Sequence, residues 1–223
     1  FRKLSATHFN MRILIVSATS FELAAVKEAF SSCNNHEIEA LVTGVGMVAT
    51  SFSLTQKLTT EKFDLAINIG IAGAFDKTLE LGEVVDVVRD QFSEELVEDG
   101  EELKTYQEIG LQKGSSIYNS TFEIPQLGKF SVASASFKKV EGVTVNTIHG
   151  NDKSIKAVVK RLNPKIESME GAAFFYVCNQ MKIPALQIRA ISNYVEKRNR
   201  DAWKIKLALN NLAEASKIIL SKL

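Results

Sequence analysis

The chain has 223 residues, of which 45% are hydrophobic and 24% are charged, with 27 lysines and arginines against 26 acidic residues. This composition is typical of a globular protein, and the length suffices for one α/β domain with a substantial core. The same counts exclude a disordered chain, a collagen-like chain and a disulfide framework. The net charge of +1 gives no reason to expect a nucleic-acid partner.

The chain shows no targeting, membrane or metal signal. No apolar run reaches the roughly 18 residues of a membrane span, and the first residues lack the apolar centre of a signal peptide. We therefore expect residues 1–10 to be a mobile extension, residues 11–223 to form a single domain that starts at or near Met11, and the protein to be cytoplasmic. Cys33 and Cys178 belong to no metal or redox motif, so no metal and no disulfide is expected.

Short apolar runs alternate with segments of helical spacing, which predicts an α/β fold with a largely parallel sheet. The predicted strands are residues 11–17, 37–43, 63–68, 82–88, 130–136, 140–148 and 185–191. The predicted helices are residues 23–30, 47–58, 154–162, 169–181 and 201–220. Residues 92–128 are polar and aperiodic, and we interpret them as a long excursion that serves as an active-site flap or a partner contact.

Polar residues that follow strands are candidates for a site, because ligands of α/β sheets bind beyond the carboxyl ends of the strands. Glu22 and Asn193 hold such positions, and Glu170 lies at the start of a predicted helix. Each also has a purely structural interpretation: Glu22 completes a capping box with Thr19, Glu170 can face a helix dipole, and Asn193 can be a turn residue. Arg189 lies within an apolar strand, where a buried arginine needs a carboxylate partner.

Five segments, in this order and spacing, resemble the nucleoside phosphorylase/nucleosidase superfamily, particularly its methylthioadenosine/S-adenosylhomocysteine nucleosidase branch. They are Ser17-Ala-Thr-Ser-Phe-Glu22, Thr43-Gly-Val-Gly-Met47, Asn68-Ile-Gly-Ile-Ala-Gly73, Ser168-Met-Glu-Gly-Ala-Ala173 and Arg189-Ala-Ile-Ser-Asn193. The resemblance implies a three-layer α/β/α sandwich around a mixed, barrel-like central sheet. It also implies a purine nucleoside substrate, no cofactor, and a homo-oligomer, which we expect to be a dimer.

The resemblance also implies roles for individual residues. Glu22 falls where the nucleosidases hold the carboxylate that activates water, and Met169 and Glu170 fall where they hold the ribose. Asn193 falls where these enzymes keep an aspartate that hydrogen-bonds the purine and supplies a proton to N7. The remaining residues that we expect around the substrate are Ile71, Gly73, Asn151, Arg189 and Ser192.

The amide at position 193 favours a 6-oxopurine. Hypoxanthine carries a carbonyl acceptor at position 6, and an ionised aspartate facing it would oppose two acceptors at a cost of about 1–3 kcal/mol. Asn193 carries a donor and an acceptor together, so it can donate to O6 and accept from a protonated N7. Because an amide is no general acid, the proton for N7 must then come from solvent or a water chain.

The reaction is predicted to be hydrolysis. The two arginines with which related phosphorylases hold phosphate are missing, since the Ser17–Leu23 loop has none and the second position is Asn68. A purine nucleosidase with this preference resembles the futalosine hydrolase family, which shows a similar pattern to the segment Ser192–Trp203. In that family the substrate carries a benzoate, which Arg198 or Arg200 could bind. The alternative interpretation of these two arginines is that they belong to a basic turn exposed to solvent. An adenine-releasing nucleosidase and a phosphorylase are the rival functions.

Overall fold

The computed structural model describes residues 11–32, 35–94, 96–106, 108–111, 121–123 and 128–223. The predicted N-terminal extension, Cys33 and parts of the 92–128 segment lie outside these residues. The strands are β1 (Arg12–Ser17), β2 (Glu37–Val42), β3 (Leu65–Ala74), β4 (Val84–Phe92), β5 (Leu96–Asp99), β6 (Glu102–Thr105), β7 (Thr121–Glu123), β8 (Lys138–Thr144), β9 (Ile166–Ser168) and β10 (Ala185–Tyr194). The α-helices are α1 (Ser20–Val26), α2 (Met47–Thr60), α3 (Asp152–Leu162), α4 (Gly171–Met181) and α5 (Ile205–Ser221).

The main sheet closes on itself. Strand β3 pairs with β10, β10 with β4, β4 with β8, β8 with β9, and β9 returns to β3. Strand β3 has 10 residues, which is long enough for its first half to pair with β1 while its last residues pair with β9. The mixed, barrel-like sheet that we expected is therefore confirmed.

Helices cover the sheet on two sides because β1 is apolar on both of its faces. Ile13 and Ile15 pack in one buried cluster with residues of α1 and α5. Leu14 and Val16 alternate with them and pack in a second cluster with residues of α2 and α4. The two clusters make the chain a three-layer α/β/α sandwich, as predicted.

Two local predictions are wrong. Residues 130–136 form no strand, because Phe130 and Ala133 bury one face of a 3₁₀ turn, which brings residues three apart into line. The last helix begins at Ile205 and not at residue 201, since Asn199 caps a separate 3₁₀ turn over Arg200–Ala202. Most strand pairings of the main sheet are parallel, as predicted, whereas β4 and β9 run antiparallel to the strands that complete the barrel, β10 and β3.

Several other features concern only the part of the chain that the structure describes. No helix there has the length and apolarity needed to cross a bilayer. The same residues contain no group of three or more histidine, cysteine, aspartate or glutamate side chains able to hold a metal. Cys178 is a free, buried thiol, and burial raises its pKa, so it stays protonated at neutral pH.

Candidate active site

A cavity of about 240 Å³ lies where β1, β3, β9 and β10 end. Seven of the predicted site residues line it: Glu22, Ile71, Gly73, Met169, Glu170, Ser192 and Asn193. Most of the remaining lining is apolar and includes Phe21, Val45, Val145, Ile148, Trp203, Ile205 and Leu209. The sheet thus gathers polar groups from distant parts of the chain into an apolar pocket, which is the usual form of a small-molecule site.

Three of the lining residues stand in one row across adjacent strands. Gly73 of β3 pairs with Glu167 of β9 on one side and with Asn193 of β10 on the other. A Cβ atom placed on Gly73 would lie 3.2 Å from Asn193 Nδ2 and 3.6 Å from Glu167 Cγ. The absence of a side chain at position 73 therefore keeps open the space between a carboxyl group and an amide.

Glu22 completes the predicted capping box and also lines the cavity. Its Oε2 accepts from the Thr19 backbone N–H at 3.0 Å and from the Thr19 hydroxyl at 2.7 Å, and the full capping box is present. Its other oxygen, Oε1, accepts from the backbone N–H of Ile71 at 3.2 Å, and Glu22 and Ile71 both line the cavity. The cap thus orients the carboxylate toward β3, so capping the helix and serving the site are compatible.

Glu170 is buried at the end of β9, just before α4. Its Oε1 accepts from the backbone N–H of Gly46 at 2.9 Å. Burial raises the pKa of the Glu170 carboxyl, and the charge of Arg189 and the Gly46 hydrogen bond oppose that rise. Gly46 has φ +94°, a conformation that favours glycine, so the turn after β2 is shaped to point this N–H at the carboxylate.

Asn193 has its amide orientation set by two neighbours. The Ser192 hydroxyl donates to Asn193 Oδ1 at 2.8 Å, and Asn193 Nδ2 donates to the Tyr194 carbonyl at 3.0 Å. An amide nitrogen has two hydrogens and an amide oxygen two lone pairs, so one donor and one acceptor position remain. Asn193 lines the cavity, so these positions are the polar functions it can offer a ligand.

Arg189 lies under the site and does not line the cavity. It is 1% exposed, and its guanidinium donates to the Asn68 side-chain oxygen and, at 3.3 Å, to the Ile188 carbonyl. Burial lowers the pKa of Arg189, and the charges of Glu170, Glu22 and Asp90 oppose that effect. The hydrogen-bonding partner of Arg189 is thus the Asn68 amide and not the carboxylate that we expected, while Glu170, Glu22 and Asp90 act on it through their charges. Arg189 places a positive charge under the site.

Three other predicted residues lie outside the cavity wall. Asn151 caps α3, where its side chain accepts from the Ser154 N–H at 3.0 Å. Arg198 lines a smaller neighbouring cavity and lies over the Trp203 ring, 5.8 Å from its centroid. Arg200 is exposed in the 3₁₀ turn before α5. The structure does not bring these three residues into the group that surrounds Glu22, Glu170 and Asn193.

The sequence reasoning missed several residues at the cavity. Phe21 is 80% exposed and lines the cavity, and Trp203, which also lines it, is half-buried. The larger omission is a partly buried pair: His149 Nδ1 lies 2.7 Å from Glu167 Oε2, and the His149 backbone N–H donates to Glu167 Oε1 at 3.3 Å. Their proximity to the site follows from the β3–β9 pairing, which has no local signal in the sequence.

The family of the chain follows from its comparison with known proteins. A family model described as the phosphorylase superfamily matches residues 12–223. The chain belongs to the phosphorylase superfamily. This finding confirms the resemblance on which the predicted site was built.

Relatives of this phosphorylase superfamily member include two kinds of nucleosidase. A futalosine hydrolase of Thermus thermophilus is 27% identical over 183 residues, which cover 82% of this chain and 80% of that protein. A 5′-methylthioadenosine/S-adenosylhomocysteine nucleosidase of Glaesserella parasuis is 25% identical over 210 residues, covering 91% and 87%. The predicted enzyme class, N-glycosyl hydrolase, is confirmed by both relatives, and two substrate classes are represented.

The fold is also that of a solved nucleosidase. The native structure of futalosine hydrolase from Helicobacter pylori has a TM-score of 0.80 to this chain at 15% identity, covering 97% of this chain and 100% of that one. The phosphorylase superfamily member described here therefore has the nucleosidase fold over nearly its whole length.

Proposed function

We propose that this protein hydrolyses the N-glycosidic bond of futalosine and releases hypoxanthine and dehypoxanthine futalosine, a step of the alternative pathway of menaquinone biosynthesis. The observation that carries the proposal is the oriented amide of Asn193 in the cavity. Its free N–H can donate to O6 of a 6-oxopurine, and its oxygen can accept from a protonated N7. The relative from Thermus thermophilus supports the same substrate.

The choice of hydrolysis over phosphorolysis rests on the groups that face the reacting carbon. The Glu22 carboxylate lines the cavity, and a negative charge there would repel phosphate. Asn68 stands where related phosphorylases have an arginine, and its side chain is occupied inside the core by Arg189 and by the Val16 carbonyl. Glu22 therefore acts as the general base that takes a proton from water.

The ribose is held by Glu170 and Met169 at the end of β9. Glu170 keeps one oxygen on the Gly46 N–H, which leaves the other free to accept from the ribose hydroxyls. Cleavage passes through a ribosyl cation, and the Glu170 carboxylate beside it stabilises the developing positive charge. The charge of Arg189 opposes the rise that burial causes in the pKa of Glu170, so Arg189 acts as a positioning residue from beneath the site.

A second candidate is an adenine-releasing 5′-methylthioadenosine/S-adenosylhomocysteine nucleosidase. It is favoured by the relative from Glaesserella parasuis, which aligns with 91% of the chain. The two candidates differ in the group that Asn193 must bind, a carbonyl acceptor in hypoxanthine or an amino donor in adenine.

The binding of a benzoate by Arg198 or Arg200 stays a prediction. Arg198 lines the smaller cavity together with Asn193, whereas Arg200 does not.

The active form is proposed to be a homodimer joined through α2. Val45, Val48 and Phe52 are 56%, 80% and 69% exposed along this helix and the turn before it. Val45 also lines the cavity, together with the exposed Phe21. A second copy that covers this apolar surface would remove it from water and close the cavity opening.

The proposed function is tested by base release from futalosine, inosine and methylthioadenosine, each with and without phosphate. The expected result is hypoxanthine from futalosine without phosphate and little adenine from methylthioadenosine. Adenine release would favour the second candidate, and a strict need for phosphate would identify a phosphorylase. Binding of these nucleosides without any base release would contradict an enzymatic role.

A further inference from the structure

The proposed reaction lacks a proton donor for the departing base. Three carboxyl groups line the cavity among the described residues: Glu22, Glu167 and Glu170. Glu22 is assigned to the attacking water and Glu170 to the ribose, while Asn193 has an amide that does not titrate at physiological pH. The remaining carboxyl, Glu167, stands in the same row as Asn193, on the other side of Gly73.

We propose that Glu167 and His149 together hold the proton that the departing purine takes up, an inference that rests on the proposed function. Glu167 is 4% exposed and faces the main cavity, where the base would lie beside Asn193. His149 faces the second cavity of about 50 Å³, which shares Ile148, Asn193 and Trp203 with the first. The pair thus connects the base end of the site with a separate route for protons.

The chemistry of the pair suits this step. A proton shared by His149 Nδ1 and Glu167 Oε2, 2.7 Å apart, can rest on either atom. Burial raises the pKa of the Glu167 carboxyl, and the hydrogen bond and charge of His149 oppose that rise. A carboxyl group whose protonated form is favoured by burial can act as a general acid.

The step balances as follows. The C1′–N9 bond breaks, and its electron pair passes into the purine, while the shared proton passes through the Glu167 carboxyl to N7. A carboxylate is left beside a neutral imidazole. The attacking water gives its hydroxide to C1′ and its proton to Glu22. After the base leaves, water in the second cavity restores a proton to the pair, and Glu22 returns its own to solvent.

Other charged groups near the pair affect how it titrates. Glu94 raises the pKa of Glu167 through its negative charge. Glu196, Lys197 and Arg198 line the second cavity together with His149, and the Arg198 N–H donates to the Gly150 carbonyl at 3.3 Å. The pH dependence of the reaction therefore belongs to the pair in this surrounding, and both members must be varied to assign it.

The test compares inosine with 7-methylinosine, whose base departs without needing a proton at N7. We expect Glu167→Gln to slow hypoxanthine release from inosine about 10²–10⁴-fold but release from 7-methylinosine less than about tenfold. His149→Gln should move the fall of kcat with inosine to higher pH, because His149 no longer opposes the rise in the pKa of Glu167, and 7-methylinosine should lack this fall in the wild type. Glu214→Gln, which removes an exposed charge that lines neither cavity, is the control and should behave like the wild type.

Two outcomes would overturn the inference. Equal slowing of both substrates by Glu167→Gln, with an unchanged pH profile in His149→Gln, would mean that the pair only holds the structure in place. Wild-type rates on inosine in both variants would exclude the pair altogether. Neither result resembles failure of the proposed function, in which the wild type would release no hypoxanthine from futalosine or inosine.

Discussion

Replacing Glu22 by glutamine separates its capping role from the catalytic role that we propose for it. The change keeps the size of the side chain and removes its charge. If Glu22 is the general base, turnover should fall about 10²–10⁴-fold, because an amide cannot accept the proton of water. If it serves only the capping box, turnover should be retained and only stability should change.

The cost in stability follows from the three donors that the carboxylate accepts. Thr19 supplies an N–H and a hydroxyl to one oxygen, and Ile71 supplies an N–H to the other. Glutamine has a single oxygen, so its NH₂ group must face a donor on one of these two sides. Leaving one such donor unpaired costs about 1–3 kcal/mol. This lowers the melting temperature of a domain of this size by about 2–4 °C for each kcal/mol.

The assay is base release from futalosine, measured well below the melting temperature of the variant, together with substrate affinity from calorimetry. Glu108→Gln is a matched control, because Glu108 accepts from the N–H and hydroxyl of Thr105 in the same Thr-x-x-Glu arrangement and does not line the cavity. It should keep full activity. Turnover near that of the wild type in folded Glu22→Gln would refute the role of Glu22 as the base.

Three further changes test other parts of the structure. Asn193→Asp should shift base release toward adenine about tenfold or more. The new carboxyl oxygen would lie about 3 Å from the Tyr194 carbonyl, which favours the protonated carboxyl, and this form can donate to N7. Competition between methylthioadenosine and inosine measures the change in base preference. Gly171→Ala should lower the free energy of unfolding in urea by about 1–3 kcal/mol or more, because its Cβ would lie 1.9 Å from Gln187 Oε1 and 2.1 Å from Asp90 Oδ2. Phe52→Glu, on the exposed face of α2, should convert the proposed dimer to a monomer in light scattering.

Each of these expectations has a contrary result. An unchanged purine preference in Asn193→Asp would remove the amide argument for hypoxanthine. A Gly171→Ala variant with the stability of the wild type would show that the Asp90–Gln187 pair can shift, although it is buried. A monomeric wild-type protein that is fully active would contradict the dimer proposed through α2.

Much of the local structure was predictable because its causes are local. The alternation of Ile13 and Ile15 with Leu14 and Val16 reflects a strand buried on both faces, and the Thr19–Glu22 spacing marks the start of α1. The position of Glu22 directly after β1 and of Asn193 at the end of β10 also follows from the chain order, whereas β9, which precedes Glu170, was not predicted. These features depend on neighbours within a few residues, so periodicity and capping patterns report them.

The failed predictions concern segments whose form depends on distant partners. Residues 130–136 have the composition of a strand, but a strand forms only where a neighbour offers hydrogen bonds. Here Phe130 and Ala133 instead pack against the cluster that holds α1 and α5. The reversal of β4 relative to β10 is likewise set by barrel closure, which joins residues about 100 positions apart.

The sequence by itself determined which residues this protein can use for chemistry: a carboxylate at position 22, one at position 170 and an amide at position 193. Only the tertiary structure decided that Glu167 stands across Gly73 from Asn193, because register between strands is set by the closure of the whole sheet and not by either segment. The same closure joined Glu167 to His149, 18 positions away, and placed Arg189 under the site without a carboxylate in hydrogen-bonding contact. The sequence determines which side chains are present. Their distances from one another, on which the proposed roles as acid, base and positioning charge depend, are set when the barrel closes.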